Sequence, residues 1–354
     1  MKTFGVMLLS ALSVSFAMGK SLPKDIQSVL TVLDKTEYST VVELADALGD
    51  SSVEQTIFTL SFLAETLCYY AEKHPQAKPQ MLAGISRIIE LVLKGTITPF
   101  RVLEQPGLWN EYNLYLTHLN IILGKYLGMT DHCEYHLLNS RICDYLAEKI
   151  VTHPYMNIKS YPNHPELWPA DNAATLYSLY LYDVNFGTNI SAQPIRAWLD
   201  YMDQDGLDET TGLHLSELTG MHEYSQYARG CAMSMTVKYM ADFAPKQAKE
   251  LWKGYKKQFK KNYVLGCGFL EYPKGVRLSW DSDSGPILSN GLGAAATGLA
   301  LMASKNIGDG YTYFQLRNAM GLMDLGVWLS RDEKTKAVMS SILARSIQLN
   351  ARYR

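Results

Sequence analysis

The sequence predicts an all-α protein, an α/α toroid or barrel of about six helical hairpins, on three observations. Apolar residues recur at a spacing of about 3.6 almost throughout, while alternating runs of period two are nearly absent. From residue 73 onward the connections alternate between short and long. Helix starts near 52, 110, 171, 225 and 286 recur about every 58 residues. Hairpins closed by short turns and joined by longer loops would place every long loop on one face of a ring.

In order, the helices are expected near 24–34, 39–48, 52–73, 78–94, 110–127, 131–150, 171–184, 192–202, 225–243, 246–261, 286–304, 311–327 and 334–350. Short connections fall near His74–Ala77, Gly128–Thr130, Val184–Ser191, Phe243–Pro245 and Lys305–Gly310. Long ones fall near Gly95–Trp109, Thr152–Ala170, Asp203–Tyr224 and Asn262–Gly285. Ahead of them, MKTFGVMLLSALSVSFAMGKS carries one Lys, an apolar run from Phe4 to Val14 and small residues suited to cleavage after Ala17 or Gly19. This reads as a secretory signal over 1–19, too short in its apolar part to span a membrane. A short helical segment over 20–50 and a barrel domain over 51–354 follow, in a periplasmic or secreted protein without stable membrane insertion.

With 354 residues, 47% of them hydrophobic and 19% charged, the chain can bury a large core. Its formal net charge of -2, with mixed signs and no basic run beyond KKQFKK at Lys256–Lys261, argues against nucleic acid as a partner. A neutral or small partner is expected, and a homo-oligomer is permitted. Five cysteines are an odd count, and no Cys/His spacing resembles a zinc site. Cys133 and Cys143, read as one helix, would stand about 15 Å apart, beyond a disulfide's reach.

The long loops gather the candidate chemistry. YPNHPELWPADNAATLYSLYLYD, from Tyr161 to Asp183, is a rigid, aromatic, proline-punctuated loop running into a helix. Asp171 there is either an N-cap or a reacting carboxylate beside Tyr161, Trp168 and Asn172. His164 and Trp109 belong to the same group of loops. GLHLSELTGMHEYSQYARG, ending at Gly230, supplies His214, Glu217, His222, Glu223 and Tyr227, a mixture suited to general acid–base work or to plain loop hydrogen bonding. SWDSDSGPILSNGLGAAATGLALMAS, from Ser279 to Ser304, offers Trp280, Asp281 and Asp283 ahead of a helix of small residues expected to open at Gly285-Pro286. His118 lies in the otherwise apolar EYNLYLTHLNIILGKYLG, where a histidine is ordinarily a core residue.

THLNIILGKYLG, the DNAATLYSLYLYD helix, RAWLDYM at Arg196–Met202, the Tyr227 loop and GLGAAATGLALMASKNIGD together resemble the linalool dehydratase/isomerase family, over roughly residues 55–327. The resemblance implies a periplasmic α/α barrel that dehydrates, hydrates or isomerises a small terpene alcohol by acid–base chemistry in an apolar cavity, without a cofactor or a metal. His118 falls on the family's active-site histidine and Tyr227 on its active-site tyrosine. Pro162 and Asp171 stand where the family has its two catalytic cysteines. Asp34 and Tyr38 are spaced differently from its N-terminal Asp/Tyr pair, so a carboxylate would replace the thiol.

Three functions compete at this point. One is a lyase or isomerase acting on an alcohol through Asp171, His118 and Tyr227, with Trp168 and Trp280 shielding the intermediate. Another is a carbohydrate-active enzyme, such as a glycoside hydrolase acting on a saccharide, that pairs Asp171, Glu217 or Asp283. The last is a non-catalytic periplasmic binding or scaffold protein.

Overall fold

A computed structural model describes residues 21–34, 37–50, 53–94, 99–220, 225–276, 287–329 and 342–354. The expected leader and the first part, 334–341, of the helix expected over 334–350 lie outside the described residues. The chain is mostly helical, as its periodicity requires. The helices are α1 Lys24–Asp34, α2 Val41–Leu48, α3 Val53–Lys73, α4 Lys78–Leu93, α5 Asn113–Leu127, α6 His136–Thr152, α7 Pro169–Phe186, α8 Ala192–Gln204, α9 Gly230–Phe243, α10 Pro245–Phe259, α11 Ala294–Asn306, α12 Gly310–Leu329 and α13 Ile342–Tyr353. Among the described residues no helix is long and apolar enough to cross a membrane.

Two kinds of helix alternate along the chain, and sequence explains the difference. In α5 all 15 residues are buried, and α7, α9 and α11 are buried around most of their circumference. Such helices are apolar or small on every side and must be surrounded by protein. By contrast α8 buries only Pro194, Trp198 and Met202, and α10 only Ala248, Trp252, Tyr255 and Phe259. Spacings of three and four place those residues in one stripe, so these helices lie on the outside.

The packing follows that division. α3 packs on α5, α5 on α7, α7 on α9, α9 on α11, α11 on α13, and α13 back on α3. Outside this circuit α4 lies against α3 and α5, α6 against α5 and α7, α8 against α6 and α7, α10 against α9, and α12 against α11. α1 and α2 pack on α4 and α3, and Asp25 of α1 binds Arg352 and the Tyr353 hydroxyl at 2.7 and 2.9 Å. The long connections are joined to one another near the starts of the inner helices: Leu114 N–H donates to Ser160, Leu218 N–H to Leu167, and Gly230 N–H to Glu271. At position 230 a Cβ would stand 2.0 Å from the Leu270 carbonyl oxygen, so only glycine admits the backbone there.

Several sequence expectations are corrected. The stretch read as loop after 261 holds an antiparallel hairpin, β1 Lys260–Tyr263 and β2 Gly266–Phe269, with Lys260 opposite Phe269 and Tyr263 opposite Gly266. Two glycines in GCGF hid it, because glycine is depleted in strands; here Gly266 lets the hairpin touch α12, where a Cβ would meet the Gln315 carbonyl at 2.8 Å. No helix runs from 287 to 293, where Ile287 instead bridges Gly293 and Leu270 bridges Leu292, so α11 opens at Ala294. α6 begins at His136, which leaves Cys133 outside it and exposed. All five cysteines are free thiols.

Candidate functional site

Asp171 does not cap its helix. Pro169, with φ fixed and no N–H, opens α7 behind Trp168 at the N-cap, and Asp171 lies in the first turn. Helix dipoles favour a carboxylate at this position. Its Oδ2 accepts a 2.6 Å hydrogen bond from Ser160 Oγ, and its charge reaches the Tyr239 phenol on α9. The neighbouring Asn172 is committed to structure: its Oδ1 accepts from Ile158 N–H at 2.9 Å, and its amide donates to the Ile158 and Trp168 carbonyls at 3.0 Å each. These bonds hold the preceding loop on α7.

That loop places Tyr161, His164 and Trp168 together, with ring centroids 5.8 to 6.0 Å apart. Glu166 Oε2 lies 3.4 Å from His164 Nδ1. Ser160 and Tyr161 also border a small apolar cavity of about 130 Å³ walled by Leu60, Tyr112 and Tyr115. Trp109 belongs to the core instead: it is buried, and its indole N–H donates to Val102 at 2.9 Å.

In the next long loop Glu217 is buried and accepts from Thr219 Oγ1 at 2.9 Å. Tyr227 is half-buried, and its carbonyl accepts from Ser216 N–H and Oγ at 3.2 and 3.0 Å. His214 stands edge-on to Trp198, centroids 5.6 Å apart, and burial lowers its pKa to about 4. His222, Glu223, Trp280, Asp281 and Asp283 lie outside the described residues.

His118 faces a polar interior that the sequence reading missed. It is fully buried, its ring is edge-on to Phe58 at 4.4 Å, and neither Nδ1 nor Nε2 has a hydrogen-bond partner among the described residues. Burial, and then the Lys238 charge, drive its pKa down to about 3 against the opposing pull of Glu65, so the imidazole is neutral at physiological pH. Lys238 of α9 and Glu65 of α3, both buried, are joined at 2.8 Å, and Asn350 of α13 donates to the same Glu65 Oε2 at 3.0 Å. Burial would raise the Glu65 carboxyl, but Lys238 and Lys125 outweigh it and hold the group ionised.

Tyr239 completes the interior. Lys238 Nζ lies 3.8 Å from the centroid of its ring, and its buried hydroxyl has no partner among the described residues. Burial first, then the charges of Glu65, Tyr69 and Asp171, raise its pKa well above the usual phenol range. The structure therefore brings His118 together with Glu65, Lys238 and Asn350, and sets Tyr239 against Lys238, where the charges of Glu65 and Asp171 both act on its phenol. One signal for the ion pair was present: FLAETLCYY and MSMTVKYM each carry a single charge inside an apolar helix, and a charge so placed is retained in a core only when paired.

A second buried pair closes the start of α9. Arg229 Nε lies 3.4 Å from Glu271 Oε1, with the Tyr272 ring 5.8 Å from the guanidinium. Among the described residues no group of three or more His, Cys, Asp or Glu side chains is placed to hold a metal ion. No family model matches the chain.

Proposed function

We propose that the closed circuit of inner helices is an α/α toroid, and that the chain is an acid–base enzyme that dehydrates, hydrates or isomerises a small, largely apolar alcohol. The observation that carries this reading is His118, a neutral imidazole with both nitrogens unbonded, buried beside a fixed ion pair. A buried polar group without a partner is costly, and a substrate hydroxyl that donates to the bare nitrogen, or accepts from the protonated one, would supply one of the two bonds it lacks. Asp171 carries the proton. In the form that has bound a proton at Asp171, the carboxylic acid delivers it to the hydroxyl, the C–O bond breaks, and water leaves with the bonding pair. Its carboxylate then takes a proton from the adjacent carbon, forming the alkene and restoring the acid; the reverse sequence hydrates. The rings of Tyr161 and Trp168 face the intervening cation, whose charge an aromatic face stabilises. The short apolar stretch near the start of the sequence, read as a leader over 1–19, supports a periplasmic or secreted location.

Incubating the purified protein with an allylic tertiary terpene alcohol in D₂O tests the reading. Alkene formation with deuterium entering the recovered alcohol is expected, and Asp171→Asn should abolish both. Absence of alkene and of exchange, or hydrolysis of oligosaccharides run in parallel, would overturn it.

A further inference from the structure

The β1–β2 hairpin ends in a feature that neither the core nor the proposed site uses. Tyr263 pairs with Gly266, so Val264 and Leu265 alone make the turn. Turns this short usually hold Asn, Asp or Gly, whose backbones suit the bend. Here both positions carry large apolar side chains, and both stand in water: Val264 is 100% exposed and Leu265 62%, with Tyr263 exposed beside them. Packing holds the hairpin in place behind this tip. A Cβ at Gly266 would stand 2.8 Å from the Gln315 carbonyl oxygen of α12. Asn290 Nδ2 donates to the Tyr263 hydroxyl at 3.1 Å, and Lys260 Nζ donates to Gln315 Oε1 at 2.7 Å.

The chain leading to the tip is basic. From Lys246 to Lys261 it carries seven lysines against one acid, Glu250. Those of α10 follow the geometry of the helix. Trp252, Tyr255 and Phe259 take the inward face, while Lys246, Lys249, Lys253 and Lys257, spaced by three and four, form one exposed stripe on the outward face. α10 passes directly into β1, whose first residues are Lys260 and Lys261. Asp309, which lies against α10, is taken up by Lys256 Nζ and Trp252 Nε1 at 2.5 and 2.9 Å and leaves the stripe its positive charge.

We infer that this hairpin docks the protein on a bilayer that carries anionic phospholipid headgroups. The spacing fits the depth of such an interface. At about 3.3 Å per residue, Lys261 and Lys260 lie roughly 10 and 13 Å behind Val264, and the apolar groups of surface-bound proteins enter roughly 5–10 Å past the headgroups. With Val264 and Leu265 among the acyl chains, Tyr263 falls at the headgroup boundary, the level that tyrosine favours, and the lysines meet the phosphates. A second copy of the chain docked at the same tip would set one lysine stripe against another, and a soluble polyanion would leave Val264 and Leu265 in water. Three apolar side chains give reversible adsorption and not a span; among the described residues no helix is long and apolar enough to cross a membrane.

Co-sedimentation of the full chain with two kinds of vesicle tests this, one of phosphatidylcholine alone and one of equal parts phosphatidylcholine and phosphatidylglycerol. Binding to the mixed vesicles is expected to be roughly tenfold or more tighter than to the neutral ones and to loosen as salt is added. Val264→Asp should weaken binding to the mixed vesicles roughly tenfold or more, the worth of one buried valine. Lys257→Gln combined with Lys261→Gln should weaken it by about fivefold per lysine and leave binding to the neutral vesicles unchanged. Both variants alter surface side chains and should melt with the unsubstituted protein. The proposal is overturned if the chain sediments with neither vesicle, if it binds the neutral vesicles equally well, if either variant binds as the unsubstituted chain does, or if Val264→Asp breaks up a self-associated form that binds no lipid. Should a variant fail to fold, the comparison of the two vesicles at low and high salt decides by itself.

Discussion

His118 and Asn120 are two residues apart on α5, both wholly buried, and they live in opposite circumstances. Asn120 faces the wall between α5, α6 and α7. Its Oδ1 accepts from Asn139 Nδ2 at 2.6 Å, and its amide donates to Ser178 Oγ and Cys143 Sγ at 3.0 and 3.1 Å. Thr117 and Thr175 share a further bond of 2.8 Å across the same wall. His118 faces the interior, where neither ring nitrogen is bonded. A polar group that fastens two helices spends its bonding capacity on them, whereas one reserved for a ligand must leave it free.

The largest expected effect is at Asp171. Asp171→Asn should lower turnover by about 10²–10⁴-fold, the usual contribution of a positioned acid or base, with little change in the urea midpoint. Normal turnover in a folded Asp171→Asn variant would remove the carboxylate from the mechanism.

Next is the ion pair that borders His118. Glu65→Ala leaves Lys238 buried without its carboxylate, which should cost about 3–5 kcal/mol in equilibrium denaturation. Combining Glu65→Gln with Lys238→Met should recover much of that loss; a double variant as unstable as Glu65→Ala would show that the surrounding packing, not the charge, is at stake.

The two faces of α5 are compared directly by Asn120→Leu and His118→Leu. The first strands the partners of three hydrogen bonds and should cost about 1–3 kcal/mol. The second removes a group with no partner to strand, so stability should hold or rise while turnover collapses. Equal destabilisation by both would erase the distinction between wall and interior.

The smallest effect is in pH dependence. His118 has an ordinary value of 6.5 that burial lowers to about 3 in the fold, and His214 shifts in the same sense to about 4. The unfolded chain thus takes up these protons first. Stability from keeping the rings neutral is complete above pH 6.5 and declines as the pH falls toward 3, by up to about 1.4 kcal/mol per unit for each ring. Urea melts between pH 4 and 7 should show a shallower decline in His118→Leu than in the unsubstituted protein; identical slopes would mean that His118 is protonated in the fold.

Much of the helical layout was legible in the sequence because it rests on local chemistry. Thr40 and Glu43 mark the start of α2, where Thr40 Oγ1 accepts from Glu43 N–H at 3.1 Å, and Gly49, at φ 66°, marks its end. Stripes at three and four residues mark α8 and α10 as outer helices. Asp171 was legible as a residue of interest, but not its place in the helix, because Pro169 moves the start two residues ahead of the expected one. The β hairpin was not legible, since GCGF places Gly266 against α12 and Gly268 against Leu292 and Thr297 for reasons of space rather than strand propensity.

What the sequence determined by itself, then, is that the chain is mostly helical and roughly where most of its helices lie, since this follows from the order of apolar and polar residues along one helix. It could not determine that Glu65, His118, Lys238 and Asn350 share one interior, for they come from four helices and as many as 285 positions apart, as between Glu65 and Asn350. That convergence is decided by helix packing. The ionisation of each group follows from it, because the same imidazole that titrates near 6.5 in water is held near 3 only by the apolar surroundings and the charge that the other helices bring to it.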